Sequence, residues 1–152
     1  MPEAQQFLTF FVDRLFFGVE VEQVQEVLRY QEMTRVPLAP PVVRGLINLR
    51  GQIVTAIDLR RRLELGEAAT DRLPMNVVVR TDDSRVSLLV DEIGDVLEVQ
   101  ETTFERPPAT LNPTVRGLIT GVHKLNNRLM HVLDTQNVVN VEAESKHQGN
   151  AW

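Results

Sequence analysis

Gly45-Leu46-Ile47-Asn48-Leu49-Arg50-Gly51-Gln52-Ile53-Val54-Thr55-Ala56-Ile57-Asp58 reads as two short strands folded back on a tight turn. The runs 44–49 and 52–57 are rich in Leu, Ile and Val, residues that fit a pleated, half-buried surface. Arg50-Gly51 falls between them, and Gly51 can take the positive φ that a two-residue hairpin demands. Asp58 then suits the N-cap of a short helix carrying Leu59 and Leu63. Upstream, Val36-Pro37-Leu38-Ala39-Pro40-Pro41 must be extended, because each proline fixes φ and lacks an amide donor. Further back, Val21, Val24, Val27 and Leu28 stand at helical spacing among Glu22, Gln23, Gln25 and Glu26. That spacing predicts a helical turn over 21–26 running into a strand over 27–33. Residues 5–12 and 15–21, aromatic and β-branched around Asp13-Arg14, predict an opening hairpin.

The same order recurs downstream. Residues 75–80 and 86–91 predict a second hairpin. An amphipathic turn over 91–96, a strand over 96–100 and a proline block from Arg106 to Pro113 follow. Strands over 118–125 and 128–133 come next, and Asp134 opens a last helix through Val138 and Val139. Two registers support a duplication. Glu22, Val24, Glu26, Val27 and Leu28 match Asp91, Ile93, Asp95, Val96 and Leu97, 69 residues on. Gly45, Leu49, Ile53, Ile57 and Asp58 match Gly121, Leu125, Leu129, Leu133 and Asp134, 76 residues on. The length difference falls in the proline-rich connections, where insertions are tolerated. In this register Arg50-Gly51 faces Asn126-Asn127, and asparagine is the next most tolerant residue at positive φ.

Each half offers about five short strands. A sheet that small protects its edges by curling shut. The expected fold is mainly β: two five-stranded β-barrels packed together, with short helical turns. Residues 1–66 form the first barrel, 67–141 the second, and 142–152 a polar, disordered tail in which Trp152 does not pack. Each half is near the lower size limit for independent stability, so the two barrels are expected to share a third apolar contact, and their terminal segments are free to exchange between them.

Composition excludes several classes. The net charge of −5 sits in the second half: residues 1–66 carry eight basic and eight acidic side chains, residues 67–152 eight and thirteen. That is the wrong sign for contact with phosphates, so no nucleic acid is expected. Arg60-Arg61-Arg62, the one basic cluster, reads as a solvated helix face. No apolar stretch reaches the roughly 20 residues of a membrane helix, so no membrane insertion is expected. The N-terminal residues lack a signal-peptide pattern. With no cysteine, thiol chemistry and disulfides are out. His123 and His131, eight residues apart, have no further ligands in view, and no metal is expected. Ser84, Ser87 and Ser145 lie in no nucleophile motif, and the absence of a glycine-rich phosphate loop leaves no cofactor in view. Asp58 and Asp134 sit at repeat-related strand-to-helix junctions and read as caps rather than an acid–base pair. Gly45, Gly51 and Gly121 read as backbone-shape residues, with Asn126 and Asn127 as turn formers.

Taken together these segments resemble a known family. Gly45-Leu46-Ile47-Asn48-Leu49-Arg50-Gly51, continuing to Ala56-Ile57-Asp58-Leu59-Arg60, is similar to the central motif of the CheW chemotaxis adaptors. Val24-Gln25-Glu26-Val27-Leu28 resembles the family's N-terminal helical turn. Gly121-Val122-His123-Lys124-Leu125, with Arg128-Leu129 and Val132-Leu133-Asp134, resembles its second-barrel hairpin. The resemblance implies SH3-like barrels and a non-catalytic scaffold coupling chemoreceptors to a kinase in a signalling array. It implies two partners: the regulatory domain of a CheA-type histidine kinase, and the cytoplasmic tip of a chemoreceptor (a methyl-accepting chemotaxis protein). The positions matching the receptor groove are Val24, Glu26 and Arg50. The implied location is cytoplasmic, at receptor arrays beneath the inner membrane. Thr55 departs from a usual proline, and His123 from a frequent glycine in what would be a loop. Strand count alone leaves an alternative, a small double barrel that binds an oligonucleotide or other ligand.

Overall fold

A computed structural model describes residues 4–66, 72–82 and 84–140. The expected tail, with Trp152, lies outside the described residues. The first hairpin joins β1 (Ala4–Val12) to β2 (Leu15–Glu20), with Asp13 at φ 58° in the turn. A single 3-10 turn, Val21–Gln23, leads into β3 (Val24–Leu28). Then come β4 (Val43–Leu49), β5 (Gln52–Asp58) and the short helix α1 (Leu59–Arg62). The second half supplies β6 (Met75–Arg80), β7 (Arg85–Val90) and β8 (Glu92–Gln100). A 3-10 turn at Glu101–Thr103 precedes β9 (Phe104–Glu105). The chain continues with α2 (Pro113–Gly117), β10 (Ile119–Lys124), β11 (Leu129–Leu133) and α3 (Thr135–Val139).

Two expected turns are strand instead. Residues 92–96 belong to β8, and 24–26 to β3. Both carry a β-bulge: the register slips between Leu8 and Phe10 opposite β8, and between Val24 and Glu26 in β3. A bulge inserts a residue, so the apolar spacing lengthens from two to three and imitates a helix. In the other direction, a short helix, α2, stands where the proline block ends. Its N-cap Asn112 accepts from the Thr114 amide and Pro113 stands in the first turn, a combination readable from Asn-Pro.

Among the described residues the strands form a six-stranded sheet, β8-β1-β2-β11-β10-β9, and a five-stranded sheet, β3-β6-β7-β5-β4. A cut near residue 66 does not separate them. The β1–β2 hairpin pairs with β8 and β11, while β6–β7 pairs with β3 and β5. Each half therefore contributes its leading hairpin to the other half's sheet. In each sheet the chain runs from one edge to the other. β8 passes through its 3-10 turn into β9, and the segment after β3 bridges Thr34 to Leu46 of β4. This closes both sheets on themselves.

The pairings confirm both repeat registers. Val27 faces Val77 and Val96 faces Leu8, each member displaced by 69 positions from its counterpart. Gly45 faces Ala56 and Gly121 faces Val132, each displaced by 76.

Hairpin exchange follows from burial. Leu8, Phe10, Val12, Phe17 and Val19 point to one side, as do Val77, Val79, Val86, Leu88 and Val90 of the other hairpin. These two sets meet in the largest core, which α1, α2 and α3 close with Leu59, Leu63, Val115 and Val138. The opposite faces fill the sheet interiors: Phe7, Phe16, Val99, Met130 and Val132 in one, Ile47, Ala56 and Leu89 in the other. Strands buried on both faces read as nearly continuous apolar runs, as both hairpins do. Arg62, 6% exposed, ties the halves together by donating to the carbonyls of Asn137 and Val138 at 2.8 and 2.9 Å.

Candidate functional site

The β4–β5 hairpin closes on a two-residue turn. Leu49 pairs with Gln52, leaving Arg50 at φ 50° and Gly51 at φ 86°. This conformation directs Arg50 back across the sheet's closing edges to β3, where its guanidinium forms an ion pair with the Glu26 carboxylate. The Arg50 side chain is 72% exposed and that of Glu26 18%. The pair is thus a surface feature fixed at its acidic end. Asn48, exposed beside it, accepts a hydrogen bond from the Gly51 amide at 2.9 Å.

Of the three expected groove residues, Glu26 and Arg50 meet. Val24 is half-buried and packs against the shared core, so its side chain serves the scaffold. Sequence reasoning missed two apolar neighbours of the pair along the chain: Ile53, 63% exposed, and Val27, 37% exposed. Their outward position on strands that also supply core residues is a signal only once the strand faces are known.

The structural residues fall at junctions. The Asp58 carboxylate accepts from the Arg61 amide, and that of Asp134 from the Asn137 amide, at the starts of α1 and α3. Gly45 and Gly121 stand where a neighbouring chain passes close. A Cβ on Gly45 would lie 2.6 Å from the Thr34 carbonyl oxygen, and one on Gly121 2.5 Å from that of Glu105. Asn126 and Asn127 do lie in the connection between β10 and β11, but neither takes a positive φ. Here the Leu125 amide closes a looser loop onto the Arg128 carbonyl at 2.9 Å.

Arg60-Arg61-Arg62 is not one solvated face. Arg61 is exposed, Arg62 is buried, and Arg60 contacts Asp91 at 2.5 Å and Asp13 at 3.3 Å. Burial alone would lower the Arg60 pKa. The bond and charge of Asp91, then Asp13, outweigh it and hold the pKa above its ordinary value. The triplet spans the sheet junction because α1 packs there.

His123 lies inside β10, not in a loop, 1% exposed between Phe7 and Phe104. Thr103 Oγ1 donates to the Gln100 carbonyl, so it accepts from His123 Nδ1 at 2.7 Å. The proton sits on Nδ1, and burial pushes the His123 pKa down. His131 Nδ1 donates to the Phe16 carbonyl at 2.8 Å. Among the described residues, no three His, Asp or Glu side chains gather as a metal site. A cleft of about 340 Å³ opens beside α2 and α3, lined in part by Arg62, Glu64, Thr114 and Asn137. None of the expected site residues lines it.

Fold and site together define a class: a double β-barrel presenting an ion pair across the closing edges of one barrel. The comparisons then supply the family. The model for the CheW-like domain matches residues 6–143. The chain is 32% identical over 139 residues to "Chemotaxis protein CheW" of Bacillus subtilis (strain 168), covering 91% of this chain and 89% of that one. It is 29% identical over 136 residues to "Chemotaxis protein CheW" of Treponema pallidum (strain Nichols), covering 87% and 80%. The crystal structure of the scaffolding protein TtCheW from Thermoanaerobacter tengcongensis superposes with a TM-score of 0.82 at 24% identity, covering 93% and 94%. This chain belongs to the CheW-like family, and its two closed sheets are SH3-like barrels. No helix among the described residues is long and apolar enough to cross a membrane.

Proposed function

We propose that this protein is a non-catalytic scaffold that couples chemoreceptor tips to a CheA-type histidine kinase. In this reading it works in the cytoplasm, at receptor arrays beneath the inner membrane. Glu26 and Arg50 belong to its receptor-docking face, with Val24 holding β3 in place beneath them. One observation carries this reading: two residues 24 positions apart, each within a segment resembling the family's motifs, meet as an ion pair on the surface. With its arginine end 72% exposed the pair adds little to folding, and the arginine's donors stay open to a partner. Arginine suits that task, since its planar fork of donors can hold glutamate and still address polar groups of a partner helix.

The test mixes the purified protein with the regulatory domain of a CheA-type kinase and a receptor cytoplasmic-tip fragment. A ternary complex is expected in analytical ultracentrifugation. Arg50→Ala is expected to weaken receptor binding by about 2 kcal/mol, the scale of an interface hot spot, and to leave kinase binding largely intact. Equal loss of both partners from a folded variant refutes the assignment.

A further inference from the structure

We infer that Asn48 is a positioning residue for the docking pair. Its side-chain carbonyl holds the Arg50–Gly51 turn in the left-handed conformation from which Arg50 reaches Glu26. The functional consequence rests on the reading of Glu26 and Arg50 as receptor-docking residues.

Two successive residues at φ 50° and 86° make a hairpin turn of the primed kind. Such turns favour Asn-Gly or Gly-Gly, because a side chain at the first position crowds the backbone there. Arg50 has no local means of easing that strain: its guanidinium is a donor only and is engaged with Glu26. Gly51 accommodates its own positive φ but not that of Arg50. The Gln52 side chain is engaged by Arg85, whereas Asn48 Oδ1 accepts the Gly51 amide at 2.9 Å. This bond spans the arginine and favours the turn in which the Gly51 amide faces back toward residue 48.

The second barrel supplies an internal comparison. In the register offset by 76, Asn48 becomes Lys124, Arg50 becomes Asn126 and Gly51 becomes Asn127. Asparagine tolerates positive φ better than arginine does, so intrinsic preference predicts the left-handed residue at position 126 rather than 50. The opposite is observed: Arg50 has positive φ and Asn126 does not. Lys124 can accept no hydrogen bond, and its ammonium is 3.2 Å from the Glu105 carboxylate. The hairpin with an acceptor at this position has the left-handed arginine, and the one without it has a looser loop.

The test uses the full chain. In isotope-labelled protein, the Arg50 HN–Hα coupling and Cα and Cβ shifts report its φ directly. Asn48→Ala is expected to remove the left-handed signature. Asn48→Gln, with the same amide one carbon further out, is expected to do the same, and Asn48→Asp, which keeps the acceptor, to retain it. Binding to a receptor cytoplasmic-tip fragment is expected to fall about fivefold in Asn48→Ala, the scale of one hydrogen bond. It should recover in Asn48→Asp and fall no further when Asn48→Ala is added to Arg50→Ala. Folded Asn48→Ala and Asn48→Gln proteins that both keep Arg50 at positive φ overturn the inference. So does an undiminished effect of Asn48→Ala in the Arg50→Ala background, which would make Asn48 a contact in its own right. If Arg50→Ala binds the fragment as well as the unaltered protein does, the docking reading falls, and the Arg50 coupling still decides the role of Asn48.

Discussion

Severing the chain between its two sequence halves tests the exchanged hairpins directly. If residues 1–66 and 67–152 were self-contained barrels, each fragment would fold alone. In the structure the 1–66 fragment keeps β1–β2 but loses β8 and β11, their partners on either side. Seven hydrophobic side chains of that hairpin, Phe7, Leu8, Phe10, Val12, Phe16, Phe17 and Val19, are at most 8% exposed in the intact protein. Each contributes about 1.5–3 kcal/mol through burial, so stranding the hairpin forfeits on the order of 10–20 kcal/mol. That matches or exceeds the whole stability of a domain, about 5–15 kcal/mol. The same fragment also leaves β3 and β5 without β6 and β7. Each fragment alone is therefore expected to give collapsed amide dispersion in NMR and no cooperative urea transition. Mixed at equal concentration, they are expected to reassemble and recover a native-like spectrum. A cooperative transition from 1–66 alone would refute the exchange, and failure of the mixture to assemble would refute the shared core as the main source of stability.

Other outcomes follow from single residues. Gly121→Ala forces a methyl group against Phe104 and the Glu105 carbonyl and should cost about 1–3 kcal/mol in urea unfolding, detaching β9 first in hydrogen exchange. Asp58→Ala and Asp134→Ala should each cost about 1 kcal/mol in urea unfolding, and because Arg62 joins α1 to α3 the losses in the double variant should depart from additivity. His123 is held below its ordinary pKa by burial, so the unfolded chain binds its proton first as pH falls. Stability from this group is intact above the unfolded value of about 6.5 and declines below it. His123→Gln should flatten the urea midpoint between pH 7.5 and pH 5, and an unchanged slope would remove His123 as its source.

Much of this protein was legible in its residues because the informative interactions are local. Strand runs, the proline-bounded connections, the Arg50–Gly51 turn and the Asp58 and Asp134 caps each depend on a few neighbours in sequence. The two repeat offsets, 69 and 76, are obeyed by the strand pairings themselves. Bulges were the local failure: Val24 with Val27, and Ile93 with Val96, imitate a helical period because one strand carries an extra residue opposite its partner. The motif pointed to Glu26 and Arg50, but nothing local separated the exposed pair from Val24, which turns to the core.

Which hairpin joins which sheet was a tertiary decision. Both hairpins are apolar on both faces, and either could have paired within its own half without changing a single local preference. Exchange lets the two doubly apolar hairpins face each other in one core while their other faces fill the two barrels. That arrangement rests on pairings between residues 31 to 114 positions apart, and hydrophobic burial, being non-directional, leaves no mark in the sequence of where its partner lies.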